Sequence, residues 1–162
     1  MSSIPQLQTK KCIINEMLHQ DAAILQEILD DSLTCQYLPE IAQVRAQHLI
    51  DFFAFYCDMN EGVLWAIRNV DYRLVGFIAI MDLSMHPTLF YAMHPNFRKQ
   101  GFMKEAVKEI LRYASTKWSG LIYSEVNPVN LVSQHILLSA GFRQNNIIAS
   151  GASKLIYEFD LP

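Results

Sequence analysis

Long apolar runs are missing from this 162-residue sequence. None approaches the roughly 18 to 20 consecutive apolar residues that a membrane-spanning helix needs. The amino terminus also lacks the basic segment followed by an apolar segment that is typical of a secretory signal. We therefore expect a cytoplasmic protein that has no membrane partner.

Positive charge and cysteine are also scarce. Lys and Arg together number 13 against 16 Asp and Glu, which makes the net charge −3. Nucleic-acid binding normally requires a basic face that neutralises phosphates, so we expect no nucleic-acid partner. Cys12, Cys35 and Cys57 are odd in number and widely spaced, a pattern typical of neither a disulfide framework nor a metal site. We predict that they are reduced packing residues and that no metal is bound.

The apolar material that is present suffices for one core. Hydrophobic residues make up 51% of the chain, and a chain of this length buries a single substantial core. We predict one domain over residues 1–162.

Hydrophobic periodicity and turn residues divide the chain into strands and helices. The predicted strands are Lys11–Met17, Val63–Asn69, Leu74–Met81, Leu89–Met93, Leu121–Val126, Phe142–Ala149 and Lys154–Leu161. Helices are predicted after Asp21, from beyond Pro39 to about Asn60, from Gly101 through Ala114, and over Leu131–Ala140. The order is one strand, two helices, three antiparallel strands, a helix, a strand, a helix and two strands. This order predicts an α/β (α+β) fold, in which a mixed sheet carries helices on its faces.

The amino-terminal third carries finer expectations. Residues Ser2 to Thr9 are predicted to be a frayed lead-in. Asp21 is predicted to cap the first helix, which would bury Ile24, Leu25 and Ile28. The second helix has an apolar stripe that comprises Ile41, Val44, His48, Leu49, Phe52, Phe53 and Tyr56. On this stripe His48 is predicted to be a packed core histidine.

The stretch from Leu89 to Ala114 reads as strand, basic loop and helix. Leu89–Met93 is uncharged, which predicts a strand buried on both faces. The apolar face of the helix comprises Met103, Ala106, Val107, Ile110, Leu111 and Ala114. A helix that begins at Gly101 would direct unpaired N–H groups and its positive dipole end into the loop. Three cations add mobile positive charge there: Arg98, Lys99 and Lys104. Two interpretations stay open, a site for a phosphate-bearing ligand or an ordinary turn with solvated basic residues.

Two motifs carry a family resemblance. HPNFRKQGF at residues 94–102 and NPVNLVSQHILLSAGF at residues 127–142, with the order of elements, resemble the GCN5-related N-acetyltransferases. Within that family the chain looks most like the ribosomal-protein N-terminal acetyltransferases and their small-molecule relatives. The family's phosphate loop has Gln or Arg, then Gly, then a second small residue, and here these positions hold Arg98, Gly101 and Met103. Arg98 and Gly101 match this pattern and Met103 does not. Further matching positions are Glu105, Ala106, Asn130, Ser133, Gly141 and Phe142.

The resemblance implies a fold and a cofactor. The fold would be a mixed, mostly antiparallel seven-stranded sheet, split between strands 4 and 5, with about four helices on its faces. Acetyl-CoA would be held by Tyr91, Ala92, Met93, Arg98, Lys99, Gln100, Gly101, Phe102, Met103, Asn130 and Ser133. Backbone amides from Lys99 to Met103 would bind the pyrophosphate, and the edge of the fourth strand would face the pantetheine arm and polarise the thioester carbonyl. Asn130 is interpreted either as a contact of that arm or as a helix cap.

The resemblance also implies direct attack of a neutral amine on the thioester in a ternary complex. Such an attack requires a base for the amine and a proton for the leaving thiolate. Glu125, on the fifth strand near the split, is our first candidate for the base. The alternatives also have structural interpretations: Asp82 as a turn residue, and His86 and His94 as exposed residues before prolines.

The acid is less obvious than the base. Many relatives use a tyrosine whose position is occupied here by Leu137. Ser133 remains as a donor acting through water or as a contact of CoA, and we favour the contact. Tyr91 and Tyr123 are predicted to pack rather than react.

Two functional classes stay open. The first is an N-acetyltransferase that acts on a primary amine, either a small molecule or a peptide amino terminus. The second is a catalytically weak domain that binds or senses acyl-CoA, motivated by the departures at Met103 and Leu137. In either case we expect a monomer or a homodimer.

Overall fold

The computed structural model describes residues 4–42, 44–145 and 153–162. Its strands are β1 (Leu7–Gln8), β2 (Ile13–Glu16), β3 (Val63–Arg68), β4 (Leu74–Met81), β5 (Thr88–Met93), β6 (Gly120–Val126), β7 (Arg143–Gln144) and β8 (Leu155–Leu161). Its helices are α1 (Ala22–Asp30), α2 (Ser32–Tyr37), α3 (Pro39–Ala42), α4 (Ala46–Asp58), α5 (Phe102–Lys117) and α6 (Leu131–Ala140). Short 3-10 turns lie at His19–Asp21 and Pro95–Phe97.

The strands form one mixed sheet in the order β1-β2-β3-β4-β5-β6-β8-β7. Every neighbouring pair is antiparallel except β5 and β6, which are parallel. The predicted mixed, mostly antiparallel sheet is therefore confirmed, with eight strands in the described residues rather than seven. The added strand β1 lies in the supposed lead-in, because Leu7 is buried and pairs with Ile14. Residues 146–149 of the sixth predicted strand lie outside the described residues.

The helices before β3 are more numerous than predicted. α2 occupies an expected loop, because Asp31 both ends α1 and caps α2, accepting from the amides of Leu33 at 3.2 Å and Thr34 at 3.3 Å. The expected long helix is divided, since α3 ends at Ala42 and α4 begins at Ala46. Within the described ranges, no helix combines the length and the apolarity that crossing a membrane requires.

Asp21 occupies the N-cap position of α1 as predicted, but its side chain makes no capping hydrogen bond to that helix. Its carboxylate is buried and accepts hydrogen bonds from the Arg68 guanidinium at 2.8 and 2.9 Å and from the Leu18 amide at 2.7 Å. A buried charge without a charged partner costs more free energy than a helix without a side-chain cap. That partner lies 47 residues away on β3.

Two apolar clusters cover the two faces of the sheet. α5 lies on one face and buries all six of its predicted core residues, whereas α1 and α4 cover the other face. α4 buries Ala46, Leu49, Ile50 and Phe53. The predicted stripe is therefore partly wrong: His48 and Phe52 are exposed, and on α1 so is Ile24.

β5 and β6 separate soon after they begin. Thr88 and Tyr123 form their one register pair among the described residues, and the Ser124 hydroxyl donates to the Leu89 carbonyl at 2.9 Å. Beyond Leu89 the strands diverge without ladder pairs, which confirms the predicted split in the sheet. Because β5 borders this opening, Phe90, Tyr91 and Met93 are only half-buried, and the expectation of burial on both faces was wrong.

Candidate active site

The turn from β5 into α5 presents a row of backbone amides. Lys99 and Gly101 are left-handed, with φ of 64° and 83°. The first amides of a helix have no intrahelical acceptor, and among the described residues those of residues 99–104 have no hydrogen-bond partner. We call residues 98–104 the phosphate loop. The amides and the positive end of the α5 dipole together favour an anionic group at this loop.

Arg98 anchors the phosphate loop, so the expectation that it supplies mobile charge was wrong. Its guanidinium donates to Asp31 Oδ2 at 2.6 Å and to the Met93 carbonyl at 3.1 Å. Burial raises the pKa of the Asp31 carboxyl, but the hydrogen bonds from Arg98 and from the amides of Thr34 and Leu33 outweigh it and hold that pKa below its usual range. The ion pair joins the phosphate loop to the junction of α1 and α2.

Lys11 is a cation of this site that sequence reasoning missed. Its Nζ donates to the Gln100 carbonyl at 2.7 Å, and its backbone amide donates to Glu105 Oε1 at 2.7 Å. A Cβ on Gly101 would lie 3.1 Å from the Lys11 Nζ. The lysine pair before β2 gives no hint of this role, because the contact spans 89 residues.

The two departures from the family pattern are core residues. Met103 is 4% exposed and Leu137 is fully buried, and both belong to the cluster beneath α5. The Met103 side chain therefore packs into the core beneath α5.

Asn130 and Gly141 bound α6 as predicted. The Asn130 Oδ1 accepts from the Ser133 amide at 3.1 Å, so the capping interpretation is confirmed. Gly141 ends the helix with φ of 105°. The Asn130 side-chain NH₂ has no partner among the described residues and remains available to a ligand.

A hydroxyl pair joins β5 to α6 across the split. The Tyr91 and Ser133 hydroxyl oxygens lie 2.6 Å apart. Burial raises the pKa of the Tyr91 phenol far above its usual range, and the hydrogen bond to Ser133 offsets only part of that rise. Tyr91 packs as predicted, but it also carries a polar contact, 42 residues away in sequence, that was not predicted.

Glu125 lies on the opposite face of β6 from the buried residues Ile122 and Val126. It is exposed and stands two residues beyond Tyr123, where β6 has already left β5. Tyr123 stacks on His86 with ring centroids 4.1 Å apart and planes at 11°. This face, formed by His86, Tyr123 and Glu125, is called the acceptor face below.

Two of the other candidate bases, Asp82 and His94, are engaged elsewhere. Asp82 is a left-handed turn residue that accepts from the Tyr56 hydroxyl at 3.3 Å. His94 is buried and not exposed as predicted, because it follows β5 under α1 and its Nε2 lies 2.9 Å from Glu27 Oε2. A cavity of about 510 Å³ lies where β6 begins, and its lining includes Leu83, Pro87, Trp118 and Leu161.

The comparison with known families agrees with this geometry. A family profile described as an acetyltransferase (GNAT) domain matches residues 12–143, most of the chain. The chain belongs to the GNAT acetyltransferase family. The resemblance seen in the two motifs is thereby confirmed, and the protein is an acyltransferase enzyme.

Individual relatives cover nearly the whole chain. The uncharacterized N-acetyltransferase YoaA of Bacillus subtilis (strain 168) is 26% identical over 155 residues, 89% of this chain and 86% of YoaA. The ribosomal L7/L12 α-N-protein acetyltransferase RimL, solved with CoA, superposes with a TM-score of 0.84 at 8% identity, covering 97% of this chain and 98% of RimL. The spermidine N-acetyltransferase of Vibrio cholerae, solved with CoA and spermine, superposes with a TM-score of 0.77 at 13% identity. The match covers 94% of this chain and 97% of that enzyme. The neighbours thus include the ribosomal-protein branch.

Proposed function

We propose that residues 1–162 act as one domain that transfers the acetyl group of acetyl-CoA to a primary amine, of a small molecule or of a peptide amino terminus. The observation that best supports this proposal is the split between β5 and β6, with the unpaired amides of the phosphate loop at its end. YoaA is named as an N-acetyltransferase, and RimL and the spermidine enzyme were solved with CoA. RimL is named for a protein α-amino group and the other enzyme for a polyamine, so both acceptor classes stay in the proposal.

The residues around the split fit CoA in two places. Amides 99–103 would hold the pyrophosphate, assisted by the ammonium group of Lys11 and by exposed Lys99. The unpaired edge of Tyr91–Met93 would run beside the pantetheine arm, and the free Asn130 NH₂ would donate to the arm from α6. Arg98 would contribute indirectly, by holding the phosphate loop against Asp31.

Each reacting atom would then meet a group of this chain. Acetyl-CoA supplies an acyl carbon that is already activated as a thioester. A β5 amide would donate to the carbonyl oxygen as negative charge develops there. Glu125 would take the proton of the attacking amine, since it is an exposed carboxylate beside the split, whereas Asp82 and His94 have partners of their own. Ser133 would contact the sulfur end of CoA.

An amine panel tests the proposal. The protein would be incubated with acetyl-CoA and polyamines, amino acids or peptides with free amino termini, while CoA thiol release and product mass are followed. We expect thiol release that depends on the amine, together with an acetylated product. Acetyl-CoA binding without turnover on any amine would favour an acyl-CoA sensing domain instead. Absence of binding would contradict both.

A further inference from the structure

We propose that Tyr91 is a positioning residue that directs the Ser133 hydroxyl into the split, toward the sulfur of bound CoA. The inference deepens the proposed function and rests on it for the identity of the ligand. Tyr91 reaches Ser133 from β5, the opposite wall of the split, and meets α6 one turn before buried Leu137.

Either hydroxyl can be the donor of this contact, and our proposal assigns that role to Tyr91. A phenol has one hydrogen, and the Tyr91 oxygen is 2.6 Å from Ser133 Oγ but 3.4 Å from the Ser133 carbonyl. The shorter contact is the stronger one for that hydrogen. In this assignment the Ser133 oxygen accepts from Tyr91, and Ser133 keeps its own hydrogen for another acceptor. No other side chain or carbonyl in the described residues takes it.

The Tyr91 phenol suits the role of a permanent donor. Its high pKa, caused by burial, keeps it protonated at neutral pH, so it supplies orientation and not net acid. The ring packs against the α5 cluster, which limits its rotation. Tyr91 therefore presents one fixed hydrogen-bond donor to α6.

Ser133 is held from a second side as well. Its backbone amide donates to Asn130 Oδ1 at 3.1 Å, while its side chain meets Tyr91. A hydroxyl fixed at both ends is preorganised, and preorganised donors stabilise developing charge without reorganisation during the reaction. Negative charge develops on sulfur when the C–S bond breaks. The oriented Ser133 hydroxyl would stabilise the thiolate more than the thioester.

The test uses Tyr91→Phe, Ser133→Ala and the double variant in the full chain. Each is measured for kcat and KM with the best amine, and by calorimetry for the affinity of CoA and of desulfo-CoA, which lacks the sulfur. Tyr157→Phe is the matched control, because this buried phenol also donates to α6, at 3.2 Å to Gln134, from the far side of β6.

We expect Tyr91→Phe to lower kcat about tenfold and to lower the affinity for CoA roughly three- to tenfold. The affinity for desulfo-CoA should not change. Ser133→Ala should reproduce these losses even if Tyr91→Phe folds poorly, and adding Tyr91→Phe to it should change nothing further. Tyr157→Phe should leave all these values as in the wild type.

Three results would each overturn the proposal. The losses of kcat and CoA affinity could be additive in the double variant, the affinity for desulfo-CoA could fall as much as that for CoA, or Tyr91→Phe could keep the wild-type values. Wild-type protein that binds CoA but acetylates no amine would contradict the proposed function alone, since the two binding measurements would still decide the role of Tyr91. Wild-type protein that binds neither CoA nor desulfo-CoA would overturn both.

Discussion

The phosphate loop and the acceptor face lie on the same split but are built differently. The phosphate loop offers backbone amides from six consecutive residues, 99–104, and its side chains mainly hold it in place. The acceptor face and the Tyr91–Ser133 pair are made of side chains from β5, β6, α6 and the β4–β5 turn. Backbone recognition suits the constant part of a ligand, and converging side chains suit the reacting part. Changes at the two places should therefore separate binding from turnover.

The largest effect is expected on the acceptor face. Glu125→Gln removes the proposed base and should lower turnover about 100-fold or more, with acetyl-CoA affinity unchanged. The loss should be greatest at low pH, where the acceptor is mostly ammonium. Steady-state kinetics across pH measures this. Asp160→Asn, an exposed carboxylate opposite Leu121 on the same face of the sheet, is the control and should behave as wild type.

A change in the phosphate loop should lower the affinity for acetyl-CoA, which the change at Glu125 leaves unaltered. Gly101→Asp places a negative side chain at φ of 83°, within reach of the Lys11 ammonium, where the phosphates would bind. We expect acetyl-CoA affinity to fall about 100-fold by calorimetry. Gly120→Asp controls for backbone strain, since Gly120 has φ of 94° and open space around it. Equal affinities in the two variants would remove the phosphate loop from the account.

Loss of the loop anchor should cost stability first and affinity second. Asp31→Asn deletes the charge that pairs with Arg98 and should lower the free energy of unfolding by about 1 to 3 kcal/mol at pH 7. Because the pKa of folded Asp31 is depressed, its contribution is present above the unfolded value, about 3.9, and is lost as pH falls through the folded value.

Urea unfolding of both proteins at several pH values checks this sign. The difference between wild type and Asp31→Asn should shrink below about pH 4. Asp30→Asn, at the neighbouring exposed carboxylate, should cost much less. A difference that grows on acidification would contradict the assigned ion pair.

The smallest effect is expected at Lys11, an exposed cation beside the phosphate loop. Lys11→Gln should lower the affinity for acetyl-CoA roughly two- to fivefold at low salt, and less at high salt, because salt screens exposed charges. Lys10→Gln removes the same charge one residue away and serves as the control. Identical losses in both variants would show that Lys11 acts only through net charge.

These differences also explain what the sequence could predict. α5, α6 and β4 were predicted closely because their signals are local: a periodic apolar face, a glycine at a helix end, a run of apolar residues. The unpaired amides at the start of α5 were predicted for the same reason, since they are consecutive. Phosphate binding by these amides stays a prediction. Resemblance to a family added the split, whose position no local pattern reveals.

The misses share a different origin. Asp21 pairs with Arg68 across 47 residues, Lys11 reaches Gln100 across 89, and Tyr91 meets Ser133 across 42. Each is a side-chain contact set by how distant elements pack, and no spacing in the sequence encodes it. His94 was misjudged likewise, because the carboxylate that it meets lies on α1.

Amide-resolved NMR during titration with acetyl-CoA tests the central claim most directly. We expect the largest shifts on the amides of residues 99–104, where unpaired N–H groups would gain phosphate oxygens, and a second group of shifts at Tyr91 and Ser133. Shifts concentrated around the cavity beside Trp118 and Leu161, with residues 99–104 unchanged, would contradict it.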